Sequence, residues 1–235
     1  KEVKVSPSLS VNYLVMNLTR PPFNDARVRR ALSLALDREG LVSKFLGTGY
    51  RAAWTITPPT VDGYTAPVRP EAKLAPAARL AEARRLLAEA GYGPGKPGQF
   101  EIRYESQEEN RRIVVAMAAM WKAIGVNAQP LASDLNGLNK DARTGSFEML
   151  RYTWFAPNDD PYSFLGLMET GTTGNYSKYS NPAYDAALKK ANATLDNPAR
   201  LKLLAEAEAL VFKAEEPVIP VFFYGRRYLV KPYVK

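Results

Sequence analysis

Residues 100–154 read FEIRYESQEENRRIVVAMAAMWKAIGVNAQPLASDLNGLNKDARTGSFEMLRYTW, and strand patterns alternate with helical patterns along them. Strands are expected at residues 100–105, 126–131 and 147–153, and helices between them at 108–123 and 134–142. Because strands that are joined through helices pair in parallel by right-handed crossovers, the alternation predicts an α/β sheet that is flanked by helices.

The segment before this core carries further elements. A short apolar run predicts a strand at residues 9–18, and the following helix is expected to begin at an Asn24 cap and to end at Gly40. The stretch from Gly47 to Pro76 contains several prolines and predicts an extended loop. Two more helices are expected here, at residues 41–46 and 77–90.

The segment after the core ends in apolar strands. They are expected at residues 218–224 and 228–230, and Gly225 and Arg226 between them predict a tight hairpin. Two helices precede these strands, at residues 182–192 and 197–213, and each begins close to a proline.

Composition excludes several chemistries. The chain has 235 residues, of which 46% are hydrophobic and 24% charged, as in ordinary globular proteins. It contains no cysteine and no histidine, which excludes a thiol nucleophile, a Ser-His-Asp triad, an imidazole base and an ordinary zinc site. What remains is chemistry by carboxylate, lysine or tyrosine, or binding without chemistry.

The chain is basic. It carries 32 lysines and arginines against 24 acidic residues, a net charge of +8. This charge permits nucleic acid, an anionic membrane or an acidic ligand as partner. Many of the basic residues form doublets on predicted helices, which is typical of a solvated surface. No run of 18 apolar residues occurs, so no membrane span is expected.

A candidate site lies where the predicted strand 147–153 ends, since open α/β sheets hold ligands beyond the carboxyl ends of their strands. Arg151 offers a planar fork for a carboxylate, and Trp154 and Phe155 offer apolar walls. Asp159 and Asp160 follow closely. From these residues alone, other interpretations stay open: aromatic core residues beside a capped turn, a glycosidase carboxylate pair, or a site for a hard cation.

Several segments, in order along the chain, resemble the solute-binding proteins of peptide ABC transporters, and most closely their oligopeptide-binding members. The resemblance runs from about Pro7 to Val234. Its segments are NYLVMNLTRPPFNDARVRRALSLALDREGLV (12–42), TPP (57–59), AEARRLLAEAGY (81–92), WFAPNDDPYSFL (154–165), NYSKYSNPAYDAAL (175–188) and PVIPVFFYGRRYLVKPYV (217–234).

The resemblance implies a fold and a role. It implies an α/β lobe like those of periplasmic binding proteins, with a mixed, mainly parallel sheet, and places residues 1–235 in one lobe of a larger receptor whose other, N-terminal lobe lies outside this chain. Such receptors close two lobes on a peptide and deliver it to an inner-membrane permease. The expected protein is therefore periplasmic or lipid-anchored outside the cytoplasm, without catalysis, metal or cofactor, and without a nucleic-acid partner.

The resemblance also implies site residues. Arg151, and Arg143 across a one-residue gap, match arginines that meet the carboxylate end of peptides. Residues 153–155, which are Thr153, Trp154 and Phe155, match the strand that pairs with the ligand backbone. Pro157 stands where the family places an aspartate for the ligand's amine, and Asp159 is expected to replace that aspartate if the turn is reshaped.

This departure keeps alternatives open. The same scaffold could bind another solute, such as a modified peptide, a metal chelate or an oligosaccharide. A basic nucleic-acid-binding domain is a further, less favoured alternative.

Overall fold

A computed structural model describes residues 2–47 and 49–230, and these residues form a six-stranded mixed sheet in the order β2-β6-β1-β5-β3-β4. The strands are β1 (Glu2–Met16), β2 (Arg51–Ala52), β3 (Gly98–Glu105), β4 (Val126–Ser133), β5 (Met149–Phe155) and β6 (Val218–Val230). The α-helices are α1 (Ala26–Leu34), α2 (Arg38–Leu41), α3 (Pro76–Glu89), α4 (Glu108–Lys122), α5 (Leu135–Thr144), α6 (Tyr162–Leu165), α7 (Pro182–Asn192) and α8 (Asn197–Ala214). No helix in the described residues is long and apolar enough to cross a membrane.

Residues 100–154, in which strands alternate with helices, form the predicted parallel pairs. Strand β3 pairs in parallel with both β4 and β5. The expected mixed sheet flanked by helices is confirmed, but it is not mainly parallel. Among the described strands, β1 pairs antiparallel with β5 and β6, and β2 pairs antiparallel with β6. The reason is that β1 and β6 come from distant parts of the chain and are not joined to their neighbours by a helical crossover.

The predicted C-terminal hairpin is wrong, since β6 continues through Gly225 and Arg226 as one strand. Arg226 lies opposite Ser6 of β1. The residues expected to pair with each other in a hairpin therefore pair with β1 instead. Gly225 does not form a turn; it allows the backbone of β6 to lie close to the backbone of Gly49. A Cβ atom on it would lie 2.1 Å from the carbonyl oxygen of Gly49. Strand β1 correspondingly begins at Glu2, ahead of the predicted start.

The first predicted helix is divided in two. Its cap is Asp25, whose carboxylate accepts a hydrogen bond from the Arg27 amide, and not the neighbouring Asn24. Helix α1 ends at Leu34, and a new cap at Asp37 starts α2. Gly40 donates its amide hydrogen to the Asp37 side chain at 3.0 Å, and therefore lies within α2 and does not end a helix.

Helices cover both faces of the sheet and form two cores. Leu14 and Met149 belong to the core that also contains residues of α1, α3 and α4. Val15 and Leu150 belong to the opposite core, with residues of α5, α7 and α8. Because side chains alternate along a strand, the odd-numbered residues of β5 lie on the first face and the even-numbered ones on the second.

Candidate ligand-binding site

Strand β5 has one free edge in its second half. It pairs with β1 along its whole length, with Phe155 opposite Ser10. On its other side it pairs with β3 only at Met149 and Leu150. From residue 151 to 155 the main-chain groups that face away from β1 therefore have no ladder partner in the described residues. An exposed strand edge of this kind can accept a further extended chain.

A cavity of about 370 Å³ lies beside this free edge, and we call it the edge cavity. It lies between the carboxyl ends of β3 and β5 and the first turns of α4 and α5. Residues lining it include Asn110, Leu135, Asn139, Arg151, Phe155 and Tyr224. The predicted position beyond the strand end is thus occupied by a concave site.

Arg151 is buried in the wall of the edge cavity, with only 3% of its surface exposed. Its guanidinium lies 5.9 Å from the centre of the Phe222 ring. It forms no ion pair with any described residue, and its Nε and Nη2 atoms have no hydrogen-bond partner. A buried cation without a partner is costly, and a carboxylate from a ligand would satisfy it through a planar, two-point contact.

Asn12 supports the free edge from β1. It is fully buried, and its Nδ2 donates to the main-chain carbonyl of Tyr152 at 3.0 Å and to Thr153 Oγ1 at 3.1 Å. The Thr153 hydroxyl also lies 3.3 Å from the Tyr224 hydroxyl. Asn12 was not predicted as a site residue, although a polar residue inside an otherwise apolar strand indicates a specific role.

Aromatic side chains form one wall of the edge cavity. Phe155 is 59% exposed, and its ring centre lies 5.7 Å from that of Tyr224. Tyr224 packs in turn against Tyr50 at 5.4 Å. Phe155 was predicted from the sequence as a site residue, but Tyr224 was not, because it is far from Phe155 along the chain.

Trp154 points to the other face of the sheet, where its Nε1 donates to the Ser163 carbonyl at 2.8 Å. There it lines a second cavity of about 880 Å³, which we call the Trp154 cavity. Arg143 lines this cavity and not the edge cavity. The structure therefore does not bring Arg143 and Arg151 together around one ligand group.

Asp159 lies outside both cavities. One of its carboxylate oxygens accepts a hydrogen bond from the Asp62 amide at 3.2 Å, which ties the turn after β5 to the loop before α3. Asp160 forms an ion pair with Arg200 at 2.8 Å and caps the Tyr162 amide at 2.7 Å. The predicted replacement of the family's aspartate by Asp159 stays a prediction.

Tyr152 separates the two cavities. Its hydroxyl donates to the side-chain oxygen of Asn139, and its ring packs edge-on against Tyr176 with 5.6 Å between ring centres. Burial, together with Tyr176, raises the pKa of Tyr152 to about 12, while the Arg143 charge opposes the increase. Tyr152 is therefore neutral at ordinary pH.

A mixed sheet that is covered by helices on both faces matches the fold of periplasmic-binding-protein-like structures. The family model for the middle part of bacterial extracellular solute-binding proteins, family 5, matches residues 1–176, and the chain belongs to this family.

Individual relatives agree with this assignment. The chain is 33% identical to the periplasmic murein peptide-binding protein MppA of Escherichia coli over 235 residues, covering 100% of the chain and 44% of MppA. It is 36% identical to the periplasmic oligopeptide-binding protein OppA of Salmonella typhimurium, covering 99% of the chain and 43% of that protein.

Solved structures confirm the fold. The structure of Haemophilus influenzae OppA in complex with RPPGFSPFR matches with a TM-score of 0.93 and 32% identity, over 100% of this chain and 46% of that one. The chain thus spans less than half the length of these relatives.

Proposed function

We propose that residues 1–235 form one lobe of a two-lobed receptor that binds peptides outside the cytoplasm and delivers them to an inner-membrane ABC permease. In this proposal the receptor acts by binding and not by catalysis, and is either periplasmic or anchored by a lipid. The names of the relatives, an oligopeptide-binding and a murein peptide-binding periplasmic protein, support it.

The free edge of β5 is the observation that carries the proposal. An extended peptide can continue the sheet there through main-chain hydrogen bonds, a mode that does not depend on peptide sequence. Thr153 lies in the middle of this edge and is held by Asn12, so the edge is a fixed template. A rigid template lowers the entropic cost of ordering the ligand.

Arg151 supplies the polar anchor in this proposal. Its unpaired guanidinium in the edge cavity binds the carboxylate end of the peptide, while Phe155 and Tyr224 contact an apolar portion of the ligand. In this proposal the residues of this chain contact one side of the ligand, and the second lobe buries the remaining ligand surface.

Calorimetry on two samples tests the proposal. The two-lobed receptor should bind tripeptides in the micromolar range, and the isolated chain should bind them only at millimolar concentration or not measurably, because one wall buries too little of the ligand. Absence of peptide binding by the whole receptor would refute the proposed function. Micromolar binding by the isolated chain would refute the two-lobe arrangement.

A different solute on the same scaffold is a second candidate. The observation that favours it is Asp159, whose engagement with Asp62 leaves it outside both cavities, while Pro157 stands at the position where the resemblance places an acid. Other relatives carry such names, including the probable deoxycholate-binding periplasmic protein YgiS of Escherichia coli and the heme-binding protein A of Haemophilus influenzae. Mass spectrometry of the ligands that co-purify with the receptor distinguishes a peptide from these solutes.

A further inference from the structure

The Trp154 cavity is lined by cations that have no counter-ion. Arg143 and Lys178 are the charged residues in its lining, and neither forms an ion pair or a side-chain hydrogen bond with any described residue. The other lining groups are aromatic rings, including Trp154, and hydroxyls, including that of Thr172. Both cationic side chains are exposed, so each is accessible to an anionic group that enters the cavity.

The nearby acidic residues already have partners. The Tyr162 hydroxyl donates to Glu169 at 2.5 Å, and Asp185 accepts the Thr170 amide at 3.0 Å. Asp160 is paired with Arg200. None of these three carboxylates lines the cavity, whose charged lining residues are Arg143 and Lys178.

A rigid turn holds Lys178 at the rim. Its backbone has φ of 62°, in the left-handed region that residues other than glycine and asparagine rarely adopt. Asn175, which is buried, fixes the turn by donating to the Tyr179 carbonyl at 2.7 Å and accepting from the Ser177 hydroxyl at 2.9 Å. Strained backbone of this kind is often kept where it positions a functional side chain.

The two cavities follow one another along α5. Leu135, Asn139 and Arg143 are spaced four residues apart and lie along one face of this helix; the first two line the edge cavity and the third lines the Trp154 cavity. Tyr152, in the lining of the edge cavity, contacts Tyr176 in the lining of the other. The two cavities are therefore neighbours on either side of Tyr152.

We propose, resting on the proposed function, that the Trp154 cavity binds an acidic side chain of the same peptide whose terminal carboxylate is bound by Arg151. An extended peptide that continues the sheet directs successive side chains to opposite faces. Arg151 lies on one face of the sheet and Arg143 on the other, so the two arginines bind two different carboxylates. The receptor thus selects peptides that contain glutamate or aspartate at one position.

Matched tripeptides on the two-lobed receptor test this inference. The set has glutamate at the first, second or third position with alanine elsewhere, each peptide paired with its glutamine counterpart, and trialanine as reference. At one position the glutamate peptide should bind about tenfold tighter than the glutamine peptide, which corresponds to roughly 1.4 kcal/mol. Calorimetry at fixed salt concentration measures each pair.

Variants assign the preference to the cavity. Arg143→Gln and Lys178→Asn should each reduce the ratio of glutamate-peptide affinity to glutamine-peptide affinity. Asparagine is chosen because it tolerates the left-handed backbone at this position. Lys140→Gln is the matched control: it removes the same charge from an exposed site on α5 that lines neither cavity, and should keep the preference.

The outcomes separate the two proposals. If tripeptides bind but glutamate and glutamine peptides bind equally at every position, the inference is wrong and the proposed function stands. The same conclusion follows if the preference persists in the Arg143→Gln, Lys178→Asn double variant. If trialanine and all other tripeptides fail to bind the wild-type receptor, the proposed function fails and the inference fails with it.

Discussion

Asn12 and Thr153 lie directly opposite each other in the antiparallel register of β1 and β5, and the Asn12 amide donates to the Thr153 hydroxyl at 3.1 Å. The same amide group donates to the Tyr152 carbonyl at 3.0 Å. A single buried side chain thus joins the central strand to the strand that carries the candidate site. This contact adds to the main-chain ladder between β1 and β5 that holds the free edge in position.

Replacement of Asn12 should therefore destabilise the protein. Asn12→Ala removes two buried hydrogen bonds and leaves the Tyr152 carbonyl without this donor, so the free energy of unfolding should fall by about 1–3 kcal/mol. Urea denaturation of the chain measures the change. Asn127→Ala, at an exposed position of β4, is the matched control and should change stability by less than about 0.5 kcal/mol. Equal effects of the two substitutions would contradict the role given to Asn12.

Arg151 should discriminate between peptides with free and blocked carboxyl ends. In the two-lobed receptor, Arg151→Ala should weaken binding of peptides with a free carboxylate by about 1.5–3 kcal/mol, the range for hydrogen bonds to charged groups. Binding of amidated peptides should barely change. Calorimetry with both peptide forms makes the comparison, and an equal loss for the two forms would exclude the carboxylate role.

The same arginine should reduce stability while no ligand is bound. Its buried Nε and Nη2 atoms lack partners among residues 2–47 and 49–230, so Arg151→Met should raise the free energy of unfolding by about 1 kcal/mol. Arg103→Met is the contrasting control, because Arg103 is paired with Asp141 at 2.6 Å and its loss should lower stability by up to about 1 kcal/mol. Chemical denaturation of both variants measures the two changes. A decrease in the free energy of unfolding for Arg151→Met would contradict the interpretation that the unpaired guanidinium is destabilising.

The ligand's amino end should contribute little to binding. The Pro157 side chain has neither a charge nor a hydrogen-bond acceptor for an ammonium group, and Asp159 accepts a hydrogen bond from the Asp62 amide outside both cavities. Acetylation of a peptide's amino terminus should therefore change its affinity for the receptor only slightly. Calorimetry with acetylated and free peptides tests this. A large loss on acetylation that disappears in Asp159→Asn would show that Asp159 has taken the family's role.

Stability should depend on pH through Glu208. This fully buried carboxyl accepts hydrogen bonds from the Ile56 amide at 2.8 Å and the Tyr64 hydroxyl at 2.6 Å, yet burial dominates and raises its pKa above the ordinary value of 4.5. The folded state therefore binds the proton more tightly than the unfolded state. Stability from this group is present below pH 4.5 and is lost as pH rises through the higher folded-state pKa.

Comparison with Glu208→Gln isolates this contribution. Between pH 4.5 and neutral pH, the wild type should lose more free energy of unfolding than the variant, which cannot titrate at this position. Urea denaturation at several pH values gives the difference between the two slopes. A variant that follows the wild-type pH dependence would show that Glu208 does not titrate in this range.

Much of the local structure was predictable from the chain. Helix α3 and the parallel strands β3, β4 and β5 follow from apolar periodicity, and Gly91 has the positive φ of 83° expected after a helix. These features depend on residues that are close in sequence. The continuous β6 was not predictable in this way, because glycine followed by arginine between two apolar runs is typical of a turn. Only the contacts of Gly225 with Pro7 and Gly49, which are distant in sequence, show that the strand continues.

The candidate site was predictable only in part, for the same reason. Sequence alone predicted that Arg151 and Thr153 lie on one strand and that Trp154 and Phe155 follow at its end, whereas the strand in the structure continues to Phe155. The two-residue alternation behind this prediction is a local property. Only the tertiary structure shows that Arg143 lines the Trp154 cavity while Arg151 lines the edge cavity. It also decided that Asn12 and Tyr224 support the free edge. Contacts between elements depend on strand register and helix packing, which are set by burial across the whole chain and not by any short segment.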